Sequence, residues 1–194
     1  AEAMDEIRLI AYLGNPGFEY ARTRHNAGWM LADAGFGKQA DWHSRFKGLY
    51  ASLQSEGKKI HLLKPQTFMN RSGDSVCAAM NFLKLTPETL LVVHDEIELP
   101  FGEAGFKFSG GLGGHNGLRS VASCLGTRDF YRFRLGVSRP DHKDVASYVL
   151  SAFSGEEKPL LHPLFEQSAR ILSDGLEMGM EEAVVKLKKI RIAF

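Results

Sequence analysis

A chain of 194 residues, 44% apolar and 24% charged, has the material for one sizeable core, which excludes a disordered tail and a fibrous repeat. With 24 basic against 23 acidic residues the net charge is +1, so any contact with nucleic acid has to come from local patches. Cys77 and Cys124 form neither a CxxC pair nor a zinc set, and are expected as small buried apolar residues in a reducing compartment.

No run of about 18 apolar residues is present to span a membrane. The first ten residues lack the basic-then-apolar pattern of a secretion signal, so a cytoplasmic location is expected. Ala1, Glu2 and Ala3 ahead of Met4 read as an expression remnant, which leaves 4–194 as a single domain.

In chain order, IRLIAYL (7–13) is a buried strand that stops at Gly14-Asn15-Pro16-Gly17. NAGWMLADAGF (26–36) predicts a helix with Asn26 as its cap. Residues 48–65 read as two strands of a hairpin joined at Glu56-Gly57. SGDSVCAAMNFLKL (72–85) has helical spacing and ends before Pro87. LLVVHDE opens an apolar strand at 90–95 that turns polar at His94-Asp95. Residues 102–110 alternate as another strand, and 116–126 form a helix ending at Gly126. DFYRFRLGVSRP (129–140) alternates apolar residues with arginine, a strand with one wet face. The remainder is helical to residue 190, interrupted at Pro159 and Pro163. Alternating strands and helices give an α/β fold: a single domain, a twisted mixed β-sheet with helices packed on both faces.

SGGLGGHNGL (109–118) holds five glycines around His115-Asn116. It fits neither G-x-G-x-x-G nor a P-loop, and it leads straight into a helix, so it is no linker. What remains is a backbone bent to hold polar side chains at the mouth of a site. Four stretches set polar residues in apolar surroundings at strand exits: GNPGFEYARTRHNAG (14–28), PQTFMN (65–70), VVHDE (92–96) and GGHNG (113–117). An imidazole is a base near neutral pH, a carboxylate behind it fixes its tautomer, and Asn amides hold water or an oxyanion. No Ser or Cys sits in a nucleophile motif. The chemistry implied is base-activated water attacking an acyl carbon.

These stretches, with HDEIELPFG and GGHNGLRS, resemble in order the signatures of bacterial peptidyl-tRNA hydrolases from about residue 7 to about 150. The resemblance implies a cytoplasmic, monomeric esterase that needs no metal or cofactor. Its partner is peptidyl-tRNA, and it frees tRNA from aborted translation. Residue by residue, it implies that His25 accepts a proton and that Asp95 keeps that histidine basic. Asn15 tells blocked from free aminoacyl groups. Tyr20, Phe68, Asn70 and Asn116 bind the tRNA end or the ester, and Met69 lines the cleft. Apart from the resemblance, the glycine backbone is expected to bend as a gate beside the cleft, with Asn116 at the helix entry able to hold the attacking water or the carbonyl oxygen. The family commonly carries two lysines, two positions apart, to clamp a phosphate. This chain has Gly105 and Lys107 there, leaving Lys107 with Arg134, Arg119 and the basic C-terminus (Lys186, Lys188, Lys189, Arg191) for that task.

Taken singly, these residues have ordinary roles open to them. Asn15 suits a turn, and Asn70 and Asn116 suit helix caps. Phe68 and Met69 suit a core, His25 a surface beside Arg22 and Arg24, and Lys107 and Arg134 a solvated strand face. The joint pattern is what points to a site. Two other functions compete: a non-catalytic RNA-binding protein on the same scaffold, and a metal hydrolase or peptidase of similar α/β architecture using His25, His94, Asp95 and His115.

Overall fold

All four residues of β1 (Leu9–Tyr12) are buried, because helices cover both faces of the sheet they lie in. The computed structural model describes residues 6–55 and 57–194. The proposed remnant at 1–3, and Glu56 of the hairpin turn, lie outside the described residues. Eight strands form one mixed sheet in the order β2-β3-β4-β1-β5-β7-β6-β8. They are β2 (His43–Arg45), β3 (Gly48–Ser55), β4 (Lys58–Pro65), β5 (Leu90–Glu96), β6 (Glu103–Phe108), β7 (Tyr131–Gly136) and β8 (Ile190–Arg191), besides β1. The central β4, β1, β5 and β7 run parallel. The outer strands pair antiparallel. The carboxyl ends of β1 and β5 therefore lie side by side, where open α/β sheets bind ligands.

Period-two alternation divides the core. Ile10, Tyr12, Leu91 and Val93 face α1 (Ala27–Ala34), α5 (Leu161–Met178) and α6 (Met180–Lys186). Leu9, Ala11, Leu90 and Val92 face α2 (Ser72–Leu83) and α3 (Asn116–Leu125). A short α4 (Val145–Val149) completes the described helices. Truncating a fully buried strand residue such as Leu91 to Ala costs about 2–5 kcal/mol.

Some expectations need correction. Pro163 does not interrupt α5 but sits in its first turn, where its missing N–H has no intrahelical partner to lose. The helix expected up to 190 ends at Lys186, and the tail turns to lay β8 along β6. This close approach explains Gly105: a Cβ there would lie 2.2 Å from the Lys188 carbonyl oxygen. Beside it, the Phe106 N–H donates to the Leu187 carbonyl at 2.7 Å. The cysteines are not both buried. Cys77 is half-buried and Cys124 exposed, since both lie at the α2–α3 seam and not over the sheet.

Candidate active site

Beyond β1 the chain passes through Asn15, which is buried and gripped from three sides. Its N–H donates to Asn26 Oδ1 at 2.9 Å, and Asn26 Nδ2 donates to its carbonyl at 3.0 Å. Its own Oδ1 accepts the Met69 N–H at 2.6 Å. Asn26 is therefore no helix cap, despite its position ahead of α1. Its side chain ties the loop after β1 to a buried 3-10 turn, Arg24–Asn26. Arg24 anchors that turn from the other side. Its guanidinium donates to Ser151 Oγ at 2.6 Å and the Ala152 carbonyl at 2.9 Å, meets Glu157 at 3.1 Å, and lies 4.0 Å from the Tyr148 ring centre.

This anchoring presses His25 against the end of β5. His25 Nδ1 lies 3.0 and 2.9 Å from the two carboxylate oxygens of Asp95. Burial opposes a charged His25, but the charge and hydrogen bond of Asp95 outweigh it and hold the imidazole above its usual value. Burial alone would raise the Asp95 carboxyl, yet its contacts with His25 and His115 hold it well below the usual carboxylate range. An ionised Asp95 requires the His25 proton on Nδ1, so Nε2 keeps a free lone pair.

His115, which the sequence places in a role only under the metal-hydrolase alternative, meets the same carboxylate. Its Nε2 lies 2.9 Å from Asp95 Oδ1. Its Nδ1 accepts the N–H groups of Gly117 at 3.1 Å and Leu118 at 3.3 Å, which makes it the N-cap of α3. The cap fixes the tautomer: Nδ1 carries no proton, so Nε2 donates to Asp95. A His before a helix resembles a weak cap, and nothing local in the sequence signals the bond to a strand end twenty residues back.

One donor atom each from His25, Asp95 and His115 lie within 4.8 Å of one another, a spacing a divalent cation could bridge. Here the two imidazoles share the carboxylate through hydrogen bonds. His94 packs edge-on against His115, ring centres 5.2 Å apart, without bonding the carboxylate: its Nδ1 lies 2.8 Å from the Asp95 carbonyl, and burial, then His115, brings it down to about 3.

A cavity of about 160 Å³ opens beside the cluster, walled in part by His25, Asp95, Asn116, Val145, Ala146 and Val149. Asn116 is the exposed first residue of α3. A larger hollow of about 760 Å³, between Met30 and Phe165, touches none of the candidate residues. The glycine stretch forms the rim. Arg132, 1% exposed, donates to the carbonyls of Gly111 at 2.8 Å and Gly110 at 3.2 Å. The His115 N–H holds the Leu112 carbonyl at 2.9 Å. Between these anchors Gly113 and Gly114 turn with φ of 59° and 76°, values that favour glycine.

The remaining residues stand farther out. Tyr20 and Phe68 meet edge to face at 6.4 Å, and Phe68 is 57% exposed. Asn70 is exposed on the turn Met69–Arg71 and is not the side-chain cap of α2. Met69 is buried: its N–H serves Asn15 and its side chain packs in the core. Lys107 and Arg134 share a sheet face with His94 and Glu96, as the strand register requires. Arg134 lies 4.0 Å from Glu96. Burial first, then Arg134 and Arg132, lowers the Lys107 ammonium, and Glu96 partly opposes them.

Comparison with known proteins follows the same pattern. A family model described as peptidyl-tRNA hydrolase matches residues 9–193. A peptidyl-tRNA hydrolase of Trichlorobacter lovleyi is 46% identical over 183 residues, covering 93% of this chain and 94% of that protein. One from Treponema pallidum is 53% identical over 153 residues, 76% of each. A crystal structure of the Acinetobacter baumannii peptidyl-tRNA hydrolase superposes with a TM-score of 0.81 at 34% identity, covering 91% of this chain and 92% of that one.

Proposed function

The chain belongs to the peptidyl-tRNA hydrolase family, an enzyme family that hydrolyses peptidyl-tRNA, and we propose that here His25 is the general base. The observation that carries this is the bond from His25 Nδ1 to Asp95 at 2.9 Å, which leaves Nε2 as the acceptor beside the cavity. Water gives a proton to His25 Nε2, and its oxygen attacks the carbonyl carbon of the ester linking the peptide to the 3′-terminal ribose. The exposed Asn116 amide, at the start of α3, supports the water or the oxyanion. Collapse expels the ribose oxygen, which takes the proton back from the imidazolium. The products are a peptide acid and a tRNA with a free hydroxyl. His115 donates to Asp95 and holds the carboxylate in place behind the base. No step is assigned to a metal.

Asn15 supplies discrimination. With one Oδ1 lone pair held by the Met69 N–H, the amide presents chiefly its N–H donors. The carbonyl of a peptide or blocking group accepts from them. A free α-ammonium, itself only a donor, finds no acceptor and loses hydration. Exposed Phe68 and half-buried Tyr20 offer ring faces to unpaired bases of the acceptor end. Asn70 binds on the same rim, Met69 backs it, and Lys107 with Arg134 takes phosphate.

The test compares an N-blocked aminoacyl-tRNA with its free twin, in EDTA, using wild type and His25→Ala. Cleavage of the blocked substrate alone, lost with His25, is the expected result. Activity abolished by the chelator would favour a metal hydrolase. Binding without cleavage would favour the RNA-binding reading.

A further inference from the structure

Away from the cleft, α2 and α3 cross with no room between them at Gly73. A Cβ there would lie 2.2 Å from the Ser120 carbonyl oxygen and 2.8 Å from Cys124 Sγ. The Gly73 N–H donates to Ser120 Oγ at 2.8 Å, which fixes the crossing. Cys77 lies four residues after Gly73, on the same helix face. Its thiol neighbours that of Cys124, which donates to Asp74 Oδ1 at 3.9 Å. The two thiols differ in access: Cys124 is exposed and Cys77 half-buried. Burial first, then Cys124 and Asp74, pushes the Cys77 thiol up to about 11, so it stays protonated and unreactive toward oxidants near neutral pH.

We propose that Cys77 and Cys124 form an oxidation site, in which the Cys124 sulfur attacks a peroxide and Cys77 resolves the product into a disulfide that staples α2 to α3. The steps balance. The Cys124 thiol and hydrogen peroxide give a sulfenic acid and water. Cys77 sulfur then attacks the Cys124 sulfur, its proton leaves with the hydroxyl as a second water, and the S–S bond forms. Contact between the two thiols offsets the low acidity of Cys77, because neither sulfur has to be brought in from a distance. A thiol reductant returns both cysteines. The staple joins the helix that follows Met69–Arg71 to the helix that begins at Asn116.

The experiment treats reduced protein with hydrogen peroxide, alkylates it, digests it without reductant and weighs the peptides. The expected result is one peptide linking Cys77 to Cys124, loss of both thiols to a thiol reagent, their return with dithiothreitol, and a higher Tm for the oxidised form. Cys77→Ser should stop at oxidised Cys124, and Cys124→Ser should leave Cys77 unmodified in the folded protein. Turnover by the reduced variants should match wild type, which shows that they fold. Over-oxidised Cys124 beside a free Cys77 in wild type would overturn the proposal. So would Cys124 linked between two copies, or Cys77 oxidised when Cys124 is absent.

Discussion

The two sides of the cleft are built differently. At the exits of β1 and β5, Asn15, Asn26, His25 and Asp95 are buried, and their polar groups bond to one another. At the outer rim, Phe68 and Asn70 lie open, and the glycine stretch is pinned on either side of Gly113 and Gly114. The difference separates two tasks. Proton transfer needs atoms held to a fraction of an ångström before substrate arrives. Binding a large, charged nucleic acid tolerates a rim whose final shape the ligand completes.

Removing the base tests this division most severely. His25→Ala should lower kcat by about 10²–10⁴-fold with KM little changed, read by single-turnover hydrolysis of a blocked aminoacyl-tRNA. A variant that kept kcat and lost only KM would put the chemistry elsewhere.

Asp95→Asn keeps the shape and removes the charge, and kcat should fall by about 10²-fold or more. The wild-type rate should rise with pH and then level, with a midpoint above 6.5, because Asp95 holds His25 above that value. In Asp95→Asn that support is gone, so the midpoint should move to lower pH. Stability carries the matching signs. The folded Asp95 pKa is depressed, so its contribution is present above the unfolded value of 3.8 and is lost as pH falls through the folded pKa. The folded His25 pKa is raised, so its share is full below 6.5 and is lost as pH rises through the folded pKa. The stability gap between wild type and Asp95→Asn in urea should therefore narrow in strong acid.

Asn15→Ala strands the buried Met69 N–H and should cost about 1–3 kcal/mol in urea melts. It should also narrow the preference for blocked over free aminoacyl-tRNA, which sharpens the claim that this wall reads the substrate. The smallest effects belong to the rim. Lys107→Ala and Arg134→Ala should raise KM and leave kcat alone. Each should flatten the salt dependence of tRNA binding by about one unit of log–log slope or less.

Much of this was legible in the sequence, for reasons that particular residues make plain. β1, β5 and β7 announce themselves by apolar runs or alternation, and Asn15 and Asp95 stand where those runs stop. The partners that lock the site were not legible. Asn26 looks like a cap and instead brackets Asn15. Arg24 looks like a surface charge and instead ties the His25 turn to residues 148–157. Arg132 looks like part of a wet strand face and instead is buried under the glycines. Each bond spans a long stretch of chain, and local spacing carries no trace of it. β2 and β8 were missed because three and two residues are too few to show a period.

The tail laid across Gly105 has one more effect. Without it, β6 would end the sheet as a row of unpaired backbone groups, a template for any other extended chain. The tail covers the first part of that row, pairing a two-residue strand with Glu103 and Ala104 and taking the Phe106 N–H. A side chain at residue 105 would lift the tail away and expose the ladder. What would suffer first is the protein's behaviour in a crowded solution, where bare strands find one another and fall out as aggregates while the chemistry of each copy is still intact.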